Sequence, residues 1–113
     1  MAVVVKPLIE SKQAENAQTT QYTAVNCTTI IDKFTVTNTT AGNVNFSINL
    51  VPSAGAAGAD NLMLSARAIA PGETYSCVEV IGQALTPGGF ISTLASAATS
   101  LTIRASGREI TGV

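Results

Sequence analysis

The sequence predicts an all-β fold, a seven- to eight-stranded antiparallel β-sandwich, immunoglobulin-like or jelly-roll, with an extended N-terminal arm. Three observations carry that prediction. Two strand-like runs between Ile30 and Val51 alternate apolar and polar residues, the period-2 signature of a half-buried strand. Further short runs rich in β-branched residues recur along the chain, separated by Gly, Pro, Asn and Ser clusters. No segment shows a sustained apolar repeat of helical period. Together these match a sandwich built from many short strands.

The organisation divides the chain into an arm, residues 1–18, and a sandwich domain, residues 19–113. In the arm, Val3-Val4-Val5 is a β-branched run ended by Pro7, and residues 11–20 are polar without alternation. Residues 1–18 are therefore expected outside the core, with Val3–Val5 pairing a sheet edge of this subunit or of another. An ordinary first strand over Val3–Val5 is the other placement the residues allow. Thr20–Ala24 reads as a short strand and Val25-Asn26-Cys27 as a turn.

Next come Ile30, Asp32, Phe34 and Val36 on one face, and then Val44, Phe46, Ile48 and Leu50 on one face. Between them, Asn38-Thr39-Thr40-Ala41-Gly42-Asn43 has turn chemistry, so the pair is expected as a hairpin with one buried face. The alternation puts Asp32 on the apolar side. A carboxylate there needs a partner, Arg104 or Arg67, or a rim position facing solvent. Its place near the strand's start favours the rim.

Residues 52–60, a run of Pro, Ser, Ala and Gly ending in Asp60, read as a loop without an anchoring side chain. Asn61–Ile69 alternates again. Ala70-Pro71-Gly72-Glu73 suits a type II turn, with Gly72 at the position that requires positive φ. Thr74–Ile81 reads as a strand with a change of face near Cys77, and Thr86-Pro87-Gly88-Gly89 as a turn. Phe90–Ala95 and Ser100–Ala105 are strands, and Gly107 marks a bulge or bend in the last one.

The totals exclude several functions. The chain has 113 residues, enough for one core but not two. It is 46% hydrophobic but only 12% charged, against about 25% for an average globular domain, so its neutral polar skin suits a protein covered by neighbours. The net charge is −1 and the six basic residues do not cluster, so no nucleic-acid partner is expected. No apolar run has the length of a membrane span, and Met-Ala-Val-Val-Val-Lys lacks the form of a secretory signal, so synthesis and retention in a cytoplasm are expected. Cys27 and Cys77 then read as buried thiols, although a bridge between them stays geometrically open.

The sequence contains no histidine, which removes the usual general base and the commonest metal ligand. Its seven carboxylates are scattered, the cysteines form no CxxC pair, and the Gly-rich segments lack a phosphate-loop pattern. No catalytic, cofactor or metal residue is therefore expected. The candidate assembly contacts are Val3, Val4 and Val5 of the arm and Ala54, Gly55, Ala56, Ala57, Gly58 and Ala59 of the small-residue loop.

The strings IIDKFTVTNTT, FSINLVPSAGAAGADNL, ARAIAPGETY and VIGQALTPGGFISTLASAATSLTIRASGREI, taken in order, resemble small β-sandwich virion proteins of tailed bacteriophages. The match runs over about Thr20 to Thr111. It departs from the pattern at Val25-Asn26-Cys27-Thr28, where relatives carry a Val-Pro-Ala-Gly-type turn, and residues 1–18 have no counterpart. The resemblance implies a non-enzymatic structural protein made in the bacterial host cytoplasm and placed on the virion. There it would serve as capsid decoration (cement) or as a neck, collar or tail component. Its implied partners are further copies of itself and the major capsid, neck or tail proteins. A different reading is a receptor- or carbohydrate-binding fibre or tail module, whose sugar stacking would have to use Tyr22, Tyr75, Phe34, Phe46 or Phe90.

Overall fold

The computed structural model describes residues 1–112; Val113, the last residue of the expected sandwich domain, lies outside the described residues. Among the described residues nine strands form, in the order β1 (Ala2–Gln13), β2 (Thr19–Thr23), β3 (Thr28–Asn38), β4 (Val44–Val51), β5 (Leu62–Ile69), β6 (Thr74–Ser76), β7 (Ala84–Leu85), β8 (Phe90–Ala95) and β9 (Leu101–Thr111). A 3-10 turn, Ala59–Asn61, precedes β5. The strands make two antiparallel sheets, one ordered β1-β9-β3-β6 with β7 also on β3, the other β2-β8-β4-β5. The sheets stack face to face as the predicted sandwich.

Within residues 1–18, Ala2–Gln13 form β1, and the segment does not lie outside the core. β1 pairs with β9 along nearly its whole length, from Ala2 opposite Thr111 to Gln13 opposite Thr102. Leu8, Ile9 and Ala14 are buried among the core side chains. The physical reason is in the sequence: Leu8-Ile9 supplies the apolar contact that the polar stretch after it lacks.

The segment Ile30–Val51 is not a hairpin. β3 pairs with β6, β7 and β9, whereas β4 pairs with β5 and β8, so the two runs belong to different sheets. Their apolar faces meet across the core, where the Phe34 and Phe46 rings lie 6.2 Å apart. Thr39–Asn43 arches over the gap of about 10 Å between packed sheets. Asn38, 1% exposed, holds that arch. Its Nδ2 donates to the carbonyls of Gly42 and Ile69, each at 2.8 Å. Its Oδ1 accepts from the Thr40 amide at 2.9 Å and the Thr40 hydroxyl at 2.7 Å.

Three irregularities reset the alternation read from the sequence. In β3, Ile31 faces Gly107 and Lys33 faces Ser106, leaving Asp32 as an extra residue. Side-chain parity flips there: Thr29 and Ile31 point inward before it, Phe34 and Val36 after it. In β5, Leu64 pairs with Ile48 and Arg67 with Phe46, so Ser65 and Ala66 stand opposite one residue. Ala66 has φ +45° there, and its amide donates to Ser47 Oγ at 2.8 Å. The expected strand over Thr74–Ile81 reduces to β6; residues 78–82 form turns that bury Cys77 and Val80 and leave Val78 exposed. The type II turn is present: Gly72 has φ +75° and the Glu73 amide donates to Ala70 O at 3.0 Å.

Candidate assembly surface

β1 is an edge strand, and its two halves differ. The second half is interrupted by register breaks after Pro7 and after Ile9. It also carries ion pairs, Glu10 with Arg104 at 3.4 Å and Lys12 with Glu15 at 2.8 Å. The Lys12 contact and a hydrogen bond from Gln21 hold the Glu15 carboxyl below its ordinary range. The first half, Ala2–Lys6, keeps an unbroken register against Thr111–Gly107 of β9. There Val3 is 52%, Val4 50% and Val5 76% exposed.

Cross-strand partners in a sheet share a face, so register assigns each side chain. Val4, Glu109, Thr29 and Leu85 form one row. Thr29 and Leu85 are buried, which makes this the inward face. Val4 points inward yet stays half exposed, so the second sheet does not cover this end of β1. Val3 with Ile110, and Val5 with Arg108 and Ile30, form the neighbouring rows on the outward face. Ile110 and Ile30 thus extend the valine patch across three strands. Nothing in the sequence signals this, because it depends on the register of strands far apart in the chain.

Beside the patch, the Arg108 guanidinium binds both oxygens of Asp32 (3.2 and 3.0 Å from Nε, 2.9 Å from Nη2). The carboxylate holds the guanidinium's pKa above its ordinary value. Asp32 therefore sits on the solvent side, as its place near the strand's start suggested, but through the bulge and with Arg108 as partner. Arg104 pairs with Glu10 instead. Arg67 stacks 3.8 Å above the Tyr75 ring, joining β5 of one sheet to β6 of the other.

Ala54–Ala59 lies after β4, at the same end of the sandwich as Val3–Val5, because β4 and β9 finish there and β1 and β3 begin there. The two sets are not adjacent: β1 edges one sheet, and the loop leads into β5 on the opposite flank of the other. All six loop residues are exposed. Contrary to the sequence reading, the loop has anchors. Asn61, 7% exposed, donates from Nδ2 to Ala56 O at 3.0 Å and accepts at Oδ1 from Gly58 N at 3.1 Å and Asn49 Nδ2 at 2.8 Å. Asn49 also donates to Gly58 O at 3.1 Å. The signal available was the pair of asparagines flanking the loop.

Tyr22 closes the sandwich on the β2 side. Its hydroxyl donates to Glu109 Oε2 and meets Thr29 Oγ1 at 2.7 Å. Burial, with the Glu109 hydrogen bond, raises its pKa well above the ordinary phenol value. Lys6 Nζ lies 3.5 Å from Glu109 Oε1. The other aromatics are engaged or enclosed: Phe34 and Phe46 are fully buried, Phe90 half-buried, and Tyr75 sits under Arg67. Cys27 and Cys77 are buried free thiols.

Open depressions lie between Val51, Pro52 and Leu85, about 160 Å³, and between Asn16, Asn45, Ser47 and Ser96, about 290 Å³. Among the described residues no three His, Cys, Asp or Glu side chains converge as metal ligands. Nor is any helix there long and apolar enough to cross a membrane.

Comparison with known proteins gives the fold. No family model matches the chain, and no curated protein matches it. Among solved structures, a chain of the infectious bursal disease virus Gx strain is similar with a TM-score of 0.52 and 14% identity. The similarity covers 99% of this chain and 32% of that one, so this chain spans about a third of its length. At this identity the likeness defines a shared β-sandwich.

Proposed function

We propose that this chain is a non-enzymatic structural protein of a tailed-bacteriophage virion, which oligomerises and docks on the particle as capsid decoration or as a neck, collar or tail component. The observation that carries the reading is the uninterrupted, exposed valine edge of β1, continued by Ile110 and Ile30. An exposed β-branched edge is a template for strand addition by a neighbour. The phage motif strings and the fold shared with a chain of a virus structure support placing that neighbour on a virion. Val3, Val4, Val5 and the loop Ala54–Ala59 are the proposed contacts. The loop's small side chains permit close backbone approach, and the Asn49–Asn61 bonds hold it in shape.

The test is incorporation. Particles assembled with an epitope-labelled chain are imaged, and the label's position and copy number separate decoration from a neck or tail ring. A chain lacking residues 1–5 keeps Leu8 and Ile9, so it folds but is expected to be lost from particles. Particles that never contain the full-length chain would refute the reading.

A further inference from the structure

We infer that the first half of β1 is a self-pairing edge: two copies of this chain join antiparallel through residues 2–6 about a two-fold axis at Val4. The inference rests on the virion reading for where the copies meet, but its geometry rests on β1 itself. Edge strands that must stay single are interrupted by proline, bulges and charge. β1 carries all three from Pro7 onward and none over Ala2–Val5. The strand is thus guarded along one half and left open along the other.

The register of the pair follows from Pro7. Proline has no amide to donate, so it bounds the ladder. Keeping the sheet's two faces continuous across a two-fold requires the same residue to meet itself at the axis. An axis at Val5 would bring Pro7 opposite Val3 and the irregular Leu8 opposite Ala2. An axis at Val3 shortens the ladder. An axis at Val4 sets Val4 against Val4, Val3 against Val5 and Ala2 against Lys6, with Pro7 just outside.

This arrangement is compatible with its charges. Lys6 is the only charged side chain on the paired segment. The two lysines lie at opposite ends, about 13 Å apart at the usual strand rise, beyond a physiological Debye length of about 8 Å. On the outer face the rows Ile110–Val3 and Val5–Arg108 of the two copies merge, so Val3 and Ile110 of one meet Val5 of the other. Five residues a side cover much less than the ~800 Å² per partner of a stable complex. The pair is therefore weak when free and effective where copies are held close together on a particle.

Cross-linking tests the register. Both native cysteines are buried, so an introduced surface cysteine reports alone. Val4→Cys is expected to give a covalent dimer under mild oxidation several-fold faster than Val25→Cys, an exposed position between β2 and β3 that the proposed ladder does not include. Val3→Cys alone is expected to be slow, and an equal mixture of Val3→Cys with Val5→Cys fast. All four sites are at least half exposed, so unchanged thermal melting under reducing conditions verifies the fold. Val4→Cys no faster than Val25→Cys overturns self-pairing, and so does Val3→Cys alone matching the mixture. Incorporation of the wild-type chain into particles is measured separately, so loss of the self-pairing and loss of the virion reading give different results.

Discussion

Gly107 is buried in β9 between two strands that each gain a residue nearby, Asp32 in β3 directly after its own pair and Leu8 in β1 one pair further on. A Cβ there would lie 2.2 Å from Ile30 O and 2.8 Å from Leu8 Cδ1. The backbone oxygen cannot yield as a flexible side chain can. Gly107→Ala is therefore expected to destabilise the fold by about 2–3 kcal/mol, at the upper end for overpacking. Gly42→Ala, with nothing within 4 Å of its Cβ, serves as the near-neutral control, both read by urea unfolding. Asn38 presents the opposite problem, loss instead of excess. Asn38→Ala removes the donor from the buried Ile69 carbonyl and the acceptor from Thr40. The expected cost is about 2–3 kcal/mol by the same measurement, since a buried group left unpaired bears its full desolvation penalty. Both residues were visible in the sequence, Asn38 as turn chemistry and Gly107 as a break. What Gly107 makes room for was not, because its neighbours lie about 75 and 100 positions away in the chain.

At the level of elements, most strands were legible, β7 was not, and strand partnership was not. The alternation in β3 and β4 reports one apolar face each, and a hairpin and an inter-sheet arch satisfy that pattern equally. Only the pairing of β3 with β9, and of β4 with β8, decides between them. Bulges compound the difficulty, since one extra residue at Asp32 or Ala66 inverts every later assignment of face. The candidate contacts show the same division. Val3–Val5 could be singled out by type, but Ile110 and Ile30 join them only through register. The two halves of β1 should separate in a truncation series. Deleting residues 1–5 removes only exposed side chains, so the melting temperature is expected to fall by no more than a few degrees. Deleting residues 1–13 takes Leu8 and Ile9 from the core, each worth about 2–4 kcal/mol on truncation, and uncovers β9. That chain is expected to lose its cooperative transition. If both truncations melt alike, the division of β1 into a packed half and an open half is wrong.

For the whole molecule, the two sheets are joined by the core and also by polar seams on both flanks. On the β2 side the seam is Tyr22 with Thr29 and Glu109. On the β5–β6 side Arg67 covers Tyr75, whose hydroxyl donates to Glu79 at 2.7 Å, and Cys77 lies buried next along the chain. Tyr22, Tyr75 and Cys77 are held protonated in these seams. Burial, reinforced by the charge of Glu79, pushes the Cys77 thiol from 9.0 up to about 12. Burial and the bond to Glu109 raise Tyr22, and the bond to Glu79 raises Tyr75, from an ordinary 10.0. Groups raised on folding bind protons more tightly in the native chain than in the unfolded one, so stability falls as pH climbs. The Cys77 contribution is complete below pH 9 and lost as pH rises toward 12; the gap is worth on the order of 4 kcal/mol. The tyrosines add to the loss above pH 10. Urea midpoints measured across that range should stay level to about pH 9 and then decline steeply. Cys77→Ala begins less stable, because a buried side chain is shortened, but its plateau should extend to about pH 10, where tyrosine ionisation takes over. A variant whose midpoint declines from the same pH and at the same slope as the parent would show that the thiol is not what makes the sandwich sensitive to alkali.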